Sequence, residues 1–202
     1  AGSPETDVLV AQIRSEPYRG ALTVLSDGDV PAALPPSDLL IAPAAAAEQV
    51  LAAAAGHDCA GLLVPDGTAA DAGCLRRAAR AAGVRLLGPS SLGLAAPRLG
   101  LNATAVPVHL AAGSLALVAQ SNSVAAGILA WAGRRGIGFA GAVVLGEGAD
   151  VDIADCLDHF GAAPSPRTIL LAIDDVTDAA RFLSSARAAA RLKPVLVLKP
   201  PH

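Results

Sequence analysis

The sequence holds no methionine, one tryptophan, one tyrosine and three phenylalanines among 202 residues, so aromatic rings make up only 2% of it. Its core has to be assembled from Leu, Val, Ile and Ala, and the 47 alanines let helices lie close against a sheet. Three cysteines (Cys59, Cys74 and Cys156) are an odd number without metal-like spacing. That argues against a disulfide framework and reads as small buried hydrophobes in a reducing, cytoplasmic setting. Charge of one sign is also missing: 15 basic residues face 18 acidic ones, for a net charge of −3. With no basic patch and no interleaved aromatics, nucleic acid is excluded as an expected partner. Mean hydropathy is high at +0.51, yet no apolar run approaches the ~20 residues of a membrane-spanning helix. The start, Ala1-Gly2-Ser3-Pro4-Glu5-Thr6-Asp7, lacks the basic region and apolar stretch of a signal peptide. Neither G-x-x-x-x-G-K-[ST], G-x-S-x-G, H-E-x-x-H nor C-x-x-C occurs, and no metal site is expected.

What is present is an alternation. Short β-branched or Leu-rich runs at 21–25, 38–42, 60–64 and 84–87 are separated by Ala-rich helical stretches at 44–55 and 68–82. The second of these opens on Thr68-x-x-Asp71 and stops at Gly83. Residues 88–113, with Pro89, Pro97, Pro107 and no helical period, break the rhythm as a partly extended connection. It resumes with strands at 114–119, 140–145, 168–173 and 194–198 and helices at 122–135, 151–160 and 176–191. Val176, Ala179, Leu183, Ala186 and Ala190 form the expected apolar stripe of the last helix, and Val124, Ile128 and Trp131 that of the helix from 122. The pattern predicts two small α/β units with parallel strands. The first helix, at about 5–15, has no strand before it, although a doubly wound unit normally opens with one.

Three strand-end segments have the chemistry to hold a ligand. Gln120-Ser121-Asn122-Ser123 follows a buried strand and opens a helix, so free N–H groups and hydroxyls suit a phosphate; plain N-capping by Ser121 is the equal alternative. Gly88-Pro89-Ser90-Ser91-Leu92-Gly93 lies where open α/β sheets bind ligands, and also reads as a rigid exit turn. Gly146-Glu147-Gly148-Ala149-Asp150-Val151-Asp152 reads as a flexible acidic turn that either lines a pocket or is solvated. Asp174, Asp175 and Asp178 suit a helix N-terminus. His57, His109 and His159 read as surface or turn residues.

Taken in order, Gly88–Gly93, Leu101-Asn102-Ala103-Thr104, Ala119-Gln120-Ser121-Asn122, Ile128-Leu129-Ala130-Trp131-Ala132, Gly146–Asp152 and Lys193-Pro194-Val195 resemble the nucleoside-diphosphate-forming acyl-CoA synthetases. That family comprises the α part of succinyl-CoA synthetase and the ADP-forming acetyl-CoA synthetases. Ser121-Asn122-Ser123-Val124 and Ala180-Arg181-Phe182 also resemble the synthetase-like region of bacterial protein-lysine acetyltransferases. The resemblance implies a Rossmann-like CoA-binding domain at 1–95 without its first strand and a linker at 96–112. A flavodoxin-like parallel-sheet domain at 113–202 would follow, truncated before the phosphohistidine loop.

It further implies that CoA or acyl-CoA contacts Gly2, Ser3, Pro43, Ala44, Pro65, Asp66, Gly67, Ser90 and Ser91. Phosphate would sit at Ser121, Asn122 and Ser123. Asp174 falls where the family has the glutamate that orients its phosphorylated histidine. In the family, an acyl phosphate passes its phosphoryl group to that histidine and CoA takes the acyl group. Here the glutamate has become Asp174, the family's G-P-N reads Gly88-Pro89-Ser90, and Asn122 replaces a glycine and should narrow the anion site. The nucleotide would enter only through an ATP-grasp domain or subunit that these residues do not include. The implied activity is therefore acid–CoA ligation (NDP-forming), incomplete on this chain alone and carried out as a homo-oligomer with an ATP-grasp partner. The alternative is a non-catalytic acyl-CoA-sensing module joined to an N-acetyltransferase domain.

Overall fold

The computed structural model describes residues 3–25 and 30–199. Helix α1 (Pro4–Ser15) starts at Ser3, whose side chain accepts from the Thr6 N–H. The residues at 21–25, expected as a strand, are irregular, and no neighbouring strand among the described residues takes up their backbone groups. From there the alternation is as expected, within a few residues. β1 (Ser37–Ile41), α2 (Ala44–Ala54), β2 (Cys59–Leu63), α3 (Ala69–Ala82) and β3 (Arg85–Leu87) build a parallel three-stranded sheet in the order β1-β2-β3. Helix α3 has the expected ends: Asp71 accepts from the Thr68 N–H at 2.8 Å, and Gly83 closes the helix at φ +73°.

The stretch after β3 enters a second sheet instead of running free. β4 (Gly93–Ala96), a single 3₁₀ turn and β5 (Leu101–Thr104) form an antiparallel pair on its edge. Asn102, 2% exposed, donates from Nδ2 to the Val108 carbonyl at 3.0 Å and accepts from the Thr104 hydroxyl at 2.8 Å, so it pins the turn after β5. β6 (Ala112–Ala119), α4 (Asn122–Arg134), β7 (Phe139–Val144), α5 (Ile153–Ala162), β8 (Thr168–Ala172), α6 (Ala179–Leu192) and β9 (Val195–Leu198) complete the order β5-β4-β7-β6-β8-β9. β7, β6, β8 and β9 run parallel. The chain leaves β6 to one side for β7 and crosses back to the other side for β8. The strand order therefore reverses beside the carboxyl end of β6, where open α/β sheets bind ligands.

The apolar stripes sit differently from expectation on two helices. α4 buries Ala125, Leu129 and Ala132, while Trp131 stays 47% exposed with the Arg135 guanidinium 4.7 Å from its ring centre. α6 buries Ser185 and Ala189 and half-buries Phe182 and Ala186, leaving Leu183 exposed. Close packing is the reason. A β-carbon on Gly161 of α5 would stand 3.2 Å from that of Ala189, so only small residues fit between α5 and α6. Cys59 and Cys156 are buried as expected, and burial pushes the Cys156 thiol up to about 12. Cys74 departs from expectation: it is exposed and donates to the Glu48 carboxylate, which raises its pKa above the ordinary thiol value. One core cluster, with Leu9, Ile13, Leu63, Leu87, Leu145 and Leu157 among its members, runs through both sheets.

Candidate functional site

The loops at the carboxyl ends of the parallel strands join one hydrogen-bonded belt. After β1, the Ala44 N–H donates to Asp66 Oδ1 at 2.7 Å, so Asp66, from the loop after β2, caps the start of α2. The Asp66 carbonyl accepts from the Ser90 N–H at 2.7 Å, which carries the belt to the loop after β3. That loop contains a cis Gly88–Pro89 bond and holds Ser90 at φ +58°, a left-handed conformation unusual for serine. Ser91 is wholly buried; its hydroxyl donates to the Val144 carbonyl at 2.5 Å and accepts from the Gly93 N–H at 3.0 Å.

The belt then crosses to the second sheet. Asn122 Nδ2 donates to the Ser90 carbonyl at 2.9 Å, and Asn122 Oδ1 accepts from the Leu92 N–H at 3.1 Å. Ser121 caps α4 by accepting from the Val124 N–H at 3.3 Å. Among the described residues, no acceptor meets the N–H groups of Asn122 and Ser123, which leaves the positive end of α4 open. Gln120 spans to the loop after β8. Its Oε1 accepts from the Asp174 and Asp175 N–H groups at 2.7 and 3.0 Å, and its Nε2 donates to the Asp175 carbonyl at 2.8 Å. Lys199, after β9, donates to the Asp174 carbonyl at 3.2 Å.

The acidic turn after β7 serves the seam between the sheets. Glu147 and Ala149 donate their N–H groups to the Pro89 and Gly88 carbonyls, and Val151 donates to Leu86. Gly146, at φ +60°, comes so close to the loop after β3 that a β-carbon would lie 2.4 Å from the Pro89 oxygen. Asp150 accepts from Arg85 Nε at 2.8 Å and from the Leu86 N–H at 3.0 Å. Arg85 also reaches Asp155, and Arg181 binds Asp152 and Asp155. Burial alone would raise the Asp155 carboxyl, but the Asp152 N–H and the Arg85 and Arg181 guanidinium groups hold it below the ordinary carboxylate range.

Residues 112–202 match the succinyl-CoA ligase-like flavodoxin domain. Over 121 residues, 60% of this chain, the sequence is 36% identical to the α subunit of ADP-forming acetate–CoA ligase I of Pyrococcus furiosus, and covers 26% of it. Over 117 residues, 58% of this chain, it is 36% identical to ADP-forming acetate–CoA ligase I of Archaeoglobus fulgidus, and covers 17% of it. This chain is thus similar, in its residues 112–202, to a succinyl-CoA ligase-like domain and, over 58–60% of its length, to ADP-forming acetate–CoA ligases. It spans about a quarter or less of the length of those relatives. Its fold is that of the acetyl-coenzyme A synthetase 1 of Ca. Korarchaeum cryptofilum, solved with phosphate and ADP: TM-score 0.86 over 98% of this chain and 47% of that one, at 22% identity. ATP citrate lyase of Methanothrix soehngenii shares it more loosely, with a TM-score of 0.63 over 81% of this chain and 29% of that one, at 12% identity.

Of the residues that the synthetase resemblance singled out, Ala44, Asp66, Ser90, Ser91, Ser121, Asn122 and Asp174 lie on the belt or its anchoring loops. Pro43 stands at the α2 cap position, Pro65 is buried, and a β-carbon on Gly67 would meet those of Ala44 and Pro89 at 2.9 and 3.2 Å. Ser3 is committed to the start of its own helix. Gly2 lies outside the described residues. Ser123 is exposed at the α4 start, and Asp174 is exposed after β8. The Asn122 side chain turns to the loop after β3. Gln120 lay in a strand-end segment read as a possible anion site but was given no role of its own, and Lys199 was not singled out, although both directly follow strands of the reversing sheet. That position was the available signal; which backbone groups they would reach was not readable from spacing.

Proposed function

We propose that this chain is the CoA-binding, α-type portion of an NDP-forming acyl-CoA synthetase, serving the reaction acyl-CoA + NDP + phosphate ⇌ acid + CoA + NTP. The observation that carries this reading is the belt itself, which joins the strand-end loops of the first sheet to the open α4 start beside the strand-order reversal. In this reading, residues 1–95 form the CoA-binding domain, and Pro43, Ala44, Gly67 and Ser90 approach the cofactor with Ser3, Pro65 and Asp66 beside them, while the buried Ser91 holds the loop in place. Residues 113–202 form the ligase-like domain, with 96–112 connecting them and adding an edge strand. The N–H groups of Asn122 and Ser123 stabilise a phosphate, helped by the helix dipole and the Ser121 hydroxyl.

Asp174, whose N–H is held by Gln120 two residues before α4, orients in this reading a hydrogen-bond donor brought in by the rest of the enzyme. Nucleotide chemistry falls to an ATP-grasp domain or subunit, in keeping with relatives that are named α subunits. Homo-oligomeric assembly in the cytoplasm, which suits the free thiols, completes the reading. Calorimetric titration of the folded chain with CoA, acetyl-CoA, phosphate and ADP tests it. The expected result is saturable heat with CoA or acetyl-CoA and none with ADP. No heat with CoA or acetyl-CoA from protein with a cooperative melt overturns it.

A further inference from the structure

We infer that Asn122 is a positioning residue for the CoA half of the site, and that its amide serves the loop after β3 and not the anion. The inference rests on the CoA-binding reading above. Asn122 occupies the first turn of α4, yet both ends of its side-chain amide are committed across the seam: the oxygen to the Leu92 N–H and the nitrogen to the Ser90 carbonyl. The partners fix which end is which, because an N–H faces the oxygen and a carbonyl faces the nitrogen. The amide therefore pairs with the loop as a neighbouring strand would, at the two backbone groups that bracket the buried Ser91.

The stretch it holds needs holding. Ser90 sits at φ +58°, where a residue with a β-carbon is disfavoured by roughly 1 kcal/mol. It is gripped from both sides, its N–H by the Asp66 carbonyl and its carbonyl by Asn122. Without the asparagine amide, the Ser90 carbonyl and the Leu92 N–H lose their only partners among the described residues. The loop is then free to leave the left-handed conformation that aims Ser90 and Ser91. The α4 N–H groups are unaffected, because the main chain provides them. A side chain that fills the space near an anion and one that sets a cofactor loop thus make opposite demands on binding.

The test is Asn122→Ala, which keeps a good helix former in the first turn, with Asn122→Gly as a second variant; each is titrated with CoA and, separately, with inorganic phosphate. Loss of the paired hydrogen bonds is expected to weaken CoA binding about tenfold and to change phosphate affinity by less than about twofold, while the Leu92 amide loses hydrogen-exchange protection. Equal weakening toward both ligands, or CoA affinity unchanged in variants of a wild-type chain that binds CoA, overturns the role assigned to Asn122. A folded wild-type chain silent toward CoA instead overturns the CoA-binding reading, and this role with it.

Discussion

The two sheets are sewn together twice, by seams of opposite chemistry. One is neutral and largely buried: Ser91 to Val144, Asn122 to Ser90 and Leu92, and the N–H groups of Glu147 and Ala149 to the loop after β3. The other is ionic and half-exposed, a string from Asp150 through Arg85, Asp155 and Arg181 to Asp152. Buried neutral hydrogen bonds contribute modestly when made but cost more when one partner is removed, so the first seam specifies a single loop geometry. Charges in contact with water are screened, so the second contributes little to stability and responds to salt. The loops proposed to bind CoA sit on the neutral seam. A site that has to hold charged ligands is thereby fixed by contacts that ionic ligands and salt do not compete for.

The largest break in that comparison comes from Gly93→Ala. Gly93 has φ +118°, and a β-carbon would lie 2.0 Å from the Ala103 carbonyl, a backbone atom that has no room to yield. A loss of about 4 kcal/mol or more, read by chemical denaturation, is expected; a change under 1 kcal/mol would mean that the neutral seam adapts. Ser91→Ala comes next, because it strands the buried Gly93 N–H and removes a donor from the Val144 carbonyl. About 2 kcal/mol is expected, independent of salt between 0.05 and ~0.5 M.

Arg85→Met tests the ionic seam, with an expected cost of about 0.5 kcal/mol that vanishes at high salt, since the arginine side chain is 54% exposed. The pH response is the smallest effect. The Asp155 carboxyl lies below its ordinary value in the folded state, so the stability it contributes is fully present above about pH 4. It is lost as the pH falls through the lowered folded value, and Arg85→Met should flatten that part of the acid limb of a melting-temperature profile. Parallel acid limbs for the two proteins would show that Asp155 owes its lowered value to the Asp152 N–H and Arg181 and not to Arg85.

Much of the fold was legible because local signals agreed with one another. The Thr68–Asp71 start and Gly83 stop of α3, and the apolar runs of β2, β6 and β8, define their elements with no distant partner. The run at 21–25 misled because β-branched composition forms a strand only where a neighbour receives its hydrogen bonds. The stripes of α4 and α6 misled for a related reason. Leu183 and Trp131 are large and apolar yet exposed, while Ala125, Ala132, Ser185 and Ala189 line the buried sides beside Leu129 and Phe182, since closely packed helices leave room for small side chains. At the site, Ser121 was readable as a cap from its position after a strand. The roles of Asn122, Gln120 and Asp150 were not, because each reaches backbone groups 30 to 64 residues away in sequence.

The sequence by itself determined the alternating α/β build, the helix ends, the ligase-like character of residues 112–202 and the strand-end segments that join the belt. These depend on periodicity and on caps within four residues of one another, or on motif order, all carried along the chain. Tertiary structure alone decided which polar side chains serve the scaffold. It turned Asp66 into a helix cap, the acidic turn into a seam and Asn122 into a latch. A polar side chain satisfies whichever backbone group folding brings within about 3 Å of it, and that neighbour is set by how the two sheets meet.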